Sequence, residues 1–453
     1  MRGPDVKYLA HTKRIADETP PTRNRVVDFV RVVSILVVVF GHWFAASIWL
    51  LPDGEIRLMN SLEWIPYAGW VTWVVQVMPI FFLVGGYANG RALRAREHKG
   101  VDYSEWVTQR VRRLFTPVIP LLVVWTLLIV VVGPFLPSDV VRAGAMSATV
   151  PLWFIAVYVS ITALAPVTYR WWKSAGLASV VVLLGAAIVV DVLRFAVGVP
   201  GIGWTNFLFV WAGVHQLGYW WASREASERP ISASTGGAIA AVSLAVLIAI
   251  TWIGWYPVAM VGIPGSELTN MTPPTFAIAL LGIVQAGFIW LLNDPIDRLV
   301  RGERLWRGVV AVSGVMMTIY LWHLTAMTLV ASVFLFAFDG AAFRIEPGTT
   351  KWWFTRPIWI LALVAVTTVL VAVFAPFEWR VRQTPAPTRV RYVAAGVLLV
   401  AGAAAAVSYF GLATADATVN WIIPIAAFAG AAIMGAYPAR RRRSNRSETR
   451  SPS

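Results

Sequence analysis

The sequence predicts an all-α, polytopic membrane protein of about 12 transmembrane helices with both termini in the cytoplasm. Hydrophobic residues make up 58% of the 453 positions and charged residues only 13%, with a mean hydropathy of +0.67. That balance excludes an ordinary soluble domain. Apolar stretches of roughly 20 residues, the length that a bilayer core demands, recur along the chain. Lys and Arg gather on alternate connections between them, as cytoplasmic segments do. The formal net charge of +15 is therefore a topology signal and a source of lipid headgroup contacts, with no call for nucleic acid. Cysteine is absent, which removes disulfides, thiolate metal ligands and thiol nucleophiles together, and no metal site is expected.

Residues 1–24 are polar and read as a cytoplasmic tail. The stretch from Arg25 to Leu50 is the first span and is too long, with Arg31 inside it, for a cleaved signal peptide. It carries Asp28, Arg31 and His42 within an otherwise apolar helix, and charges at such depth normally face a protein interior or a wet cavity. At about 100° per residue, Arg31 and His42 point the same way, and Asp28 shares their face. His42 stands roughly 16 Å further along the axis than Arg31. Asp28 and Arg31 have a plainer reading as a salt bridge near the inner interface, and His42 as a hydrogen bond between helices.

Further spans are expected near 64–89, 114–136, 150–169, 177–198, 204–222, 236–256, 275–293, 308–337, 356–377, 392–412 and 420–437. With the N-terminus inside, the inner connections hold Arg91, Arg94, Arg96, Arg110, Arg112, Arg113, Arg298, Arg301, Arg304 and Arg307 among others. The outer ones hold only Arg57, Arg142, Arg344, Lys351 and Arg356. Residues 438–453, rich in Arg and Ser, read as a basic disordered cytoplasmic tail. Trp and Tyr are taken as interfacial anchors and packing.

Counting about 1.5 Å per residue from the inner ends places His42, His323, Asp191 and Arg194 in one outer slab. Asp191 and Arg194, three residues apart, either pair with each other or line a substrate site.

Several short elements occur in a recognisable order. Arg31 and His42 are separated by ten residues in the first span, and Phe81-Phe82-Leu83-Val84-Gly85-Gly86-Tyr87 follows in the second. Arg110-Val111-Arg112-Arg113-Leu114-Phe115-Thr116-Pro117 enters the third, Leu152-Trp153-Phe154 opens the fourth, and Tyr320-Leu321-Trp322-His323 lies in a late span. Together they resemble the membrane-bound acyltransferase-3 family of integral O-acyltransferases. Gly85 stands where that family usually has Ser, and Pro151 where His is common. The resemblance implies an acyltransferase core of about ten helices over residues 25–380, with two added helices over 381–437, in the inner (plasma) membrane.

It also implies transfer of an acyl group, such as acetyl, from cytoplasmic acyl-coenzyme A (acyl-CoA) to a hydroxyl of an extracytoplasmic cell-envelope glycan or glycolipid. Acyl-CoA would be a co-substrate, with no tightly bound cofactor. His42 would be the general base, and Arg31 would orient the thioester or its phosphates. Arg25, Arg110, Arg112 and Arg113 offer the forked donors that bind phosphate well. Their plainer reading is positive-inside topology. Asp28, Asp191, Arg194, Tyr320 and His323 are candidates for the acceptor site or for structural roles. The rival class is a proton-coupled secondary transporter with an intramembrane His/Asp/Arg pathway.

Overall fold

The computed structural model describes residues 14–20, 23–65, 67–100, 102–263, 266, 268–379 and 389–436. The expected basic tail at 438–453, most of the N-terminal tail and the boundary at 380/381 lie outside the described residues. Helix α1 is Arg25–Ala45, α2 is Ala68–Val75, α3 is Met78–Lys99 and α4 is Tyr103–Phe115. Then come α5 (Val118–Val132), α6 (Ser138–Thr149), α7 (Leu152–Ala175), α8 (Leu177–Phe195) and α9 (Asn206–Ala226). The chain continues through α10 (Ala233–Trp252), α11 (Phe276–Leu291), α12 (Asn293–Val300), α13 (Glu303–Ser313) and α14 (Met316–Phe336). It closes with α15 (Thr350–Trp379), α16 (Val390–Phe410) and α17 (Ile422–Met434).

Nine stretches among the described residues are long and apolar enough to cross a membrane, and α11 with α12, bent by 61°, makes a tenth. The protein is therefore a multi-pass membrane protein. The remaining two expected spans coincide with α9, 21 residues long with His215 and Gln216 inside it, and with the shorter α17 of 13 residues.

Several boundaries differ from the expectation: the span expected at 64–89 is broken between Val75 and Met78 and runs on to Lys99, and those at 150–169 and 356–377 are longer, as Leu152–Ala175 and Thr350–Trp379. Three further differences have a visible local cause. The first helix stops at Ala45 instead of Leu50, because Ala46–Leu50 (β1) pairs antiparallel with Ile56–Asn60 (β2) around a turn where Gly54 takes φ +87°. An edge of β-branched and aromatic residues beside an Asp53-Gly54 turn favours this hairpin over two more helical turns. The span expected at 308–337 is broken at Gly314-Val315, so that α14 begins at Met316. The Glu378 carboxylate, from the far end of α15, accepts from the Met317 and Thr318 amides at 3.2 and 2.9 Å and from the Thr318 hydroxyl at 2.7 Å. It satisfies the free N–H groups that a helix start leaves. Finally, residues 103–115 form a separate amphipathic helix ahead of the third apolar span.

Lipid and core faces separate cleanly on α1. Val33 and Phe44 are exposed while Val32, Ile35, Val39 and Trp43 are buried. Two residues along a helix is about 200°, so Val33 and Phe44 stand opposite Arg31 and His42. The polar stripe therefore faces the protein interior.

Close helix contacts rest on glycine. Helices α3 and α9 cross where a Cβ on Gly86 would run into the His215 carbonyl, and one on Gly218 into the Leu83 carbonyl and the Tyr87 amide. Small residues let backbones approach in this way within a membrane. Gly218→Ala is expected to lower stability by about 1–3 kcal/mol through overpacking. Thermal unfolding in detergent reads the effect, and an unchanged midpoint would show that the crossing tolerates a methyl group.

Candidate active site

Two histidines from helices distant in sequence meet inside the bundle. His42 Nδ1 lies 2.9 Å from His323 Nε2, and the rings stack at 5.1 Å between centroids. His323 is fully buried, and its Nδ1 lies 2.6 Å from the Tyr320 carbonyl oxygen. A carbonyl only accepts, so His323 Nδ1 carries the proton and the neutral ring presents Nε2 as an acceptor. His42 Nδ1–H then donates to it, which leaves His42 Nε2 with its lone pair free. No described residue bonds that atom, and it is not sealed from the surroundings. Trp43 Nε1 donates to the His323 carbonyl at 3.1 Å, and Trp359 Nε1 to the Trp43 carbonyl at 3.4 Å. These bonds lock α1, α14 and α15 together around the pair. Tyr320 is buried and donates its hydroxyl to the Pro151 carbonyl at 2.8 Å, fixing α14 against the start of α7.

Arg31, about 16 Å back along α1, pairs with Asp28 at 3.2 Å, and Asp28 also holds Arg23 at 2.6 Å. Both readings of Arg31 keep their footing here. The salt bridge exists, yet Arg31 Nε is buried without a partner among the described residues. Arg31 of α1 and Arg110 and Arg113 of α4 lie within electrostatic range of the Tyr158 hydroxyl on α7. The Tyr158 ring fills the space beside Gly85, where an added Cβ would stand 2.5 Å from its hydroxyl. A Ser side chain at position 85 would have to displace that ring.

The basic segment at 110–113 divides by environment. Arg110 lies 4.0 Å over the Trp106 ring and donates to Asn89 Oδ1 at 2.9 Å, and Asn89 in turn contacts His215 Nε2 at 3.1 Å. Arg113 is exposed. Arg112 is buried, and its Nε donates to the Met434 carbonyl at the C-terminal end of α17. A cation there suits the free carbonyls and negative end of a helix, so Arg112 fastens the last helices to the core. Arg25 stacks over Trp306 at 4.8 Å and borders an open pocket of about 260 Å³ with Arg23, Asn24, Glu225 and Asp297. A second pocket of about 300 Å³ lies between α3, α7 and α9, with Arg91 and Arg94 on its wall. Neither pocket includes a residue of the histidine pair. Tyr158, near Arg31, Arg110 and Arg113, begins a file of rings that ends at the pair, which makes these three arginines the better-placed candidates for an anion site. Phe154 follows at 5.2 Å, Tyr320 at 5.6 Å, His323 at 6.0 Å and His42 at 5.1 Å.

Asp191 and Arg194 belong to a different network. Asp191 accepts from Asn206 Nδ2 at 2.9 Å, the Tyr256 hydroxyl at 2.9 Å and the Phe276 amide at 2.7 Å. Arg194 donates to the Pro273 carbonyl at 3.4 Å and stacks on Phe195. They make no ion pair within 4.0 Å with each other; they anchor α8 to α9 and to the connection leading into α11. Among the described residues, no group of three or more His, Cys, Asp or Glu is arranged to hold a metal ion.

The acyltransferase-domain family profile matches residues 24–377, more than three quarters of the chain. The chain belongs to the acyltransferase-3 family. Neither curated proteins nor solved structures gave a match. Every residue of the histidine pair, the Arg31 group and the ring file lies within the matched range. In this acyltransferase, sequence reasoning passed over Tyr158 and Glu378, named Phe154 only as part of the Leu152-Trp153-Phe154 element and counted Arg356 only as an outer charge. Glu378 had a signal, as the lone carboxylate after a long apolar run. Tyr158, four residues beyond Phe154, also had one, since that spacing stacks rings on one helix face.

Proposed function

We propose that the protein transfers an acyl group, such as acetyl, from acyl-CoA to a hydroxyl of an extracytoplasmic glycan or glycolipid, with His42 as general base. The observation that carries this reading is the directed hydrogen-bond chain from His42 Nδ1 through His323 to the Tyr320 carbonyl. It leaves His42 Nε2 unprotonated and available. The helix end bearing Arg31, Arg110 and Arg113 faces the cytoplasm in this scheme, consistent with the charge bias of the connections. The phosphates of the donor bind there, and its thioester arm runs along the ring file to the histidines. His42 Nε2 takes the acceptor hydroxyl proton as the oxygen attacks the thioester carbonyl. The C–S bond then breaks, and the imidazolium returns the proton to the departing thiolate, so that an ester and free coenzyme A result. His323 Nε2 holds the His42 Nδ1–H throughout. The setting is the plasma membrane, with envelope glycan or lipid on the far side.

Reconstitution in vesicles tests the reaction. Because the chain has no cysteine, a thiol reagent reports released coenzyme A without background from the protein. Acceptor-dependent thiol release supports the proposal. Proton flux with no thiol release would instead identify a transporter.

Donor binding gives a further expectation. Arg31→Gln and Arg113→Gln should raise the acyl-CoA KM by about tenfold or more, the worth of a lost charge-assisted contact. The effect at exposed Arg113 should shrink with added salt more than that at Arg31. Arg112→Gln should lower the unfolding temperature and leave the donor KM in place. An unchanged KM in both phosphate-site variants would leave topology as their role.

A further inference from the structure

Three buried donors without acceptors lie on side chains that pack in a row, linked through Trp359 to the backbone next to His42. They are Trp64 Nε1, Trp352 Nε1 and Arg356 Nε. The Trp64 and Trp352 rings meet edge to face at 5.4 Å, and the Arg356 guanidinium lies 4.0 Å over Trp352 and 5.5 Å from Trp359. Trp359 bonds the Trp43 carbonyl, next to His42. Arg356 is only 8% exposed, yet it has no carboxylate or hydrogen-bond partner among the described residues. Its Nη groups, unlike Nε, are not sealed off. Aromatic faces offset part of the cost of a buried cation but do not satisfy its N–H groups. Native proteins leave few buried donors unpaired, and the open Nη groups of a buried guanidinium with no partner among the described residues suit a ligand rich in acceptor oxygens.

We infer that Trp64, Trp352 and Arg356 form a binding site for an anionic oxygen group, a phosphoryl or carboxylate, carried by the acyl acceptor. The inference rests on the reading of His42 as the base and adds that the acceptor is an anionic sugar or lipid. Chemistry favours this assignment. The guanidinium is a planar fork that matches phosphate and carboxylate, and indole faces and N–H groups suit a hydroxylated ring beside it. The Arg31 group is already placed for an anion at the other end of α1, so two anionic substrates would approach the histidines from opposite ends. The same oxygen chemistry could come from a bilayer phospholipid headgroup, and the test separates the two sources.

Direct binding of an alkyl glucoside and of the matching alkyl glucuronide and alkyl glucoside phosphate is measured by native mass spectrometry and calorimetry, which need no turnover. Wild-type protein is expected to prefer the charged probes by about 10- to 100-fold. Arg356→Gln should erase that preference, Arg356→Lys should restore part of it, and Trp352→Phe, which keeps the ring, should weaken all three probes. Equal binding of charged and neutral probes to the wild type would overturn the inference, as would a preference that survives Arg356→Gln. If Arg356→Gln changes only phosphatidylglycerol retention or stability in phosphatidylglycerol nanodiscs, the site is a headgroup site and the acceptor assignment fails. Absence of thiol release with the charged-probe preference intact would reject the acyl transfer reading while leaving the anion site standing.

Discussion

His42→Gln should lower acyl transfer by about 10² to 10⁴, the usual contribution of a positioned acid or base. Glutamine keeps a hydrogen-bonding side chain that can still donate to His323 Nε2, so the packing of α1 on α14 survives. It offers no lone pair that accepts and returns a proton near neutral pH. Donor binding should be intact, because the Arg31 group lies about 16 Å away along the helix. The measurement is acyl transfer per folded molecule, with thiol release followed in parallel. Near-native turnover in this variant would rule out base catalysis by His42. The Arg31 and Arg113 variants should differ from it by moving KM, which separates substrate holding from chemistry.

His323→Phe should cost about 10² in turnover with little change in either KM. The ring is replaced by one of similar volume, so no large cavity opens, and the Trp43 bond to the residue 323 carbonyl remains. What disappears is the acceptor for His42 Nδ1–H. Without it the neutral imidazole is free to place its proton on Nε2, the position that must be bare. Losing the partner that fixes a base's tautomer costs about 10⁴ in the serine protease triad, where that partner is charged; a neutral partner warrants the smaller figure. The double variant supplies the sharper test. If His323 acts only through His42, then His42→Gln with His323→Phe should be no slower than His42→Gln alone, since residues working as one unit are not additive. Fully additive losses would give His323 an independent role and would falsify the relay.

Much of the scaffold was legible in the chain. Apolar length and charge bias mark the spans, and every expected span is occupied by a helix. The alignment of Asp28, Arg31 and His42 follows from helical periodicity alone, and the exposure of Val33 and Phe44 on the opposite face agrees with it. Local chemistry at helix ends was less visible. Depth counting for His323 started from residue 308, yet α14 starts at Met316, because a carboxylate 60 residues downstream caps it. The Arg110, Arg112 and Arg113 run looked like one phosphate cluster in sequence. On a helix these side chains fan around the axis, and Arg112 turns inward to Met434.

Arg356 illustrates the same limit. In sequence it is one more charge in an outer connection, and Trp64, Trp352 and Trp359 are interfacial aromatics. Only the fold brings residues almost 300 positions apart into one cage with unpaired donors. By itself, then, the sequence determined the class of the protein, its family signature and the stripe on the first helix, since these depend on transfer of apolar residues into lipid and on the fixed pitch of a helix. The tertiary structure decided which stripe residues meet which partners. Helix rotation and neighbour choice are set by side-chain packing between elements, and that packing aims His42 Nδ1 at His323, sends Arg112 away from Arg31 and gathers the donors around Arg356.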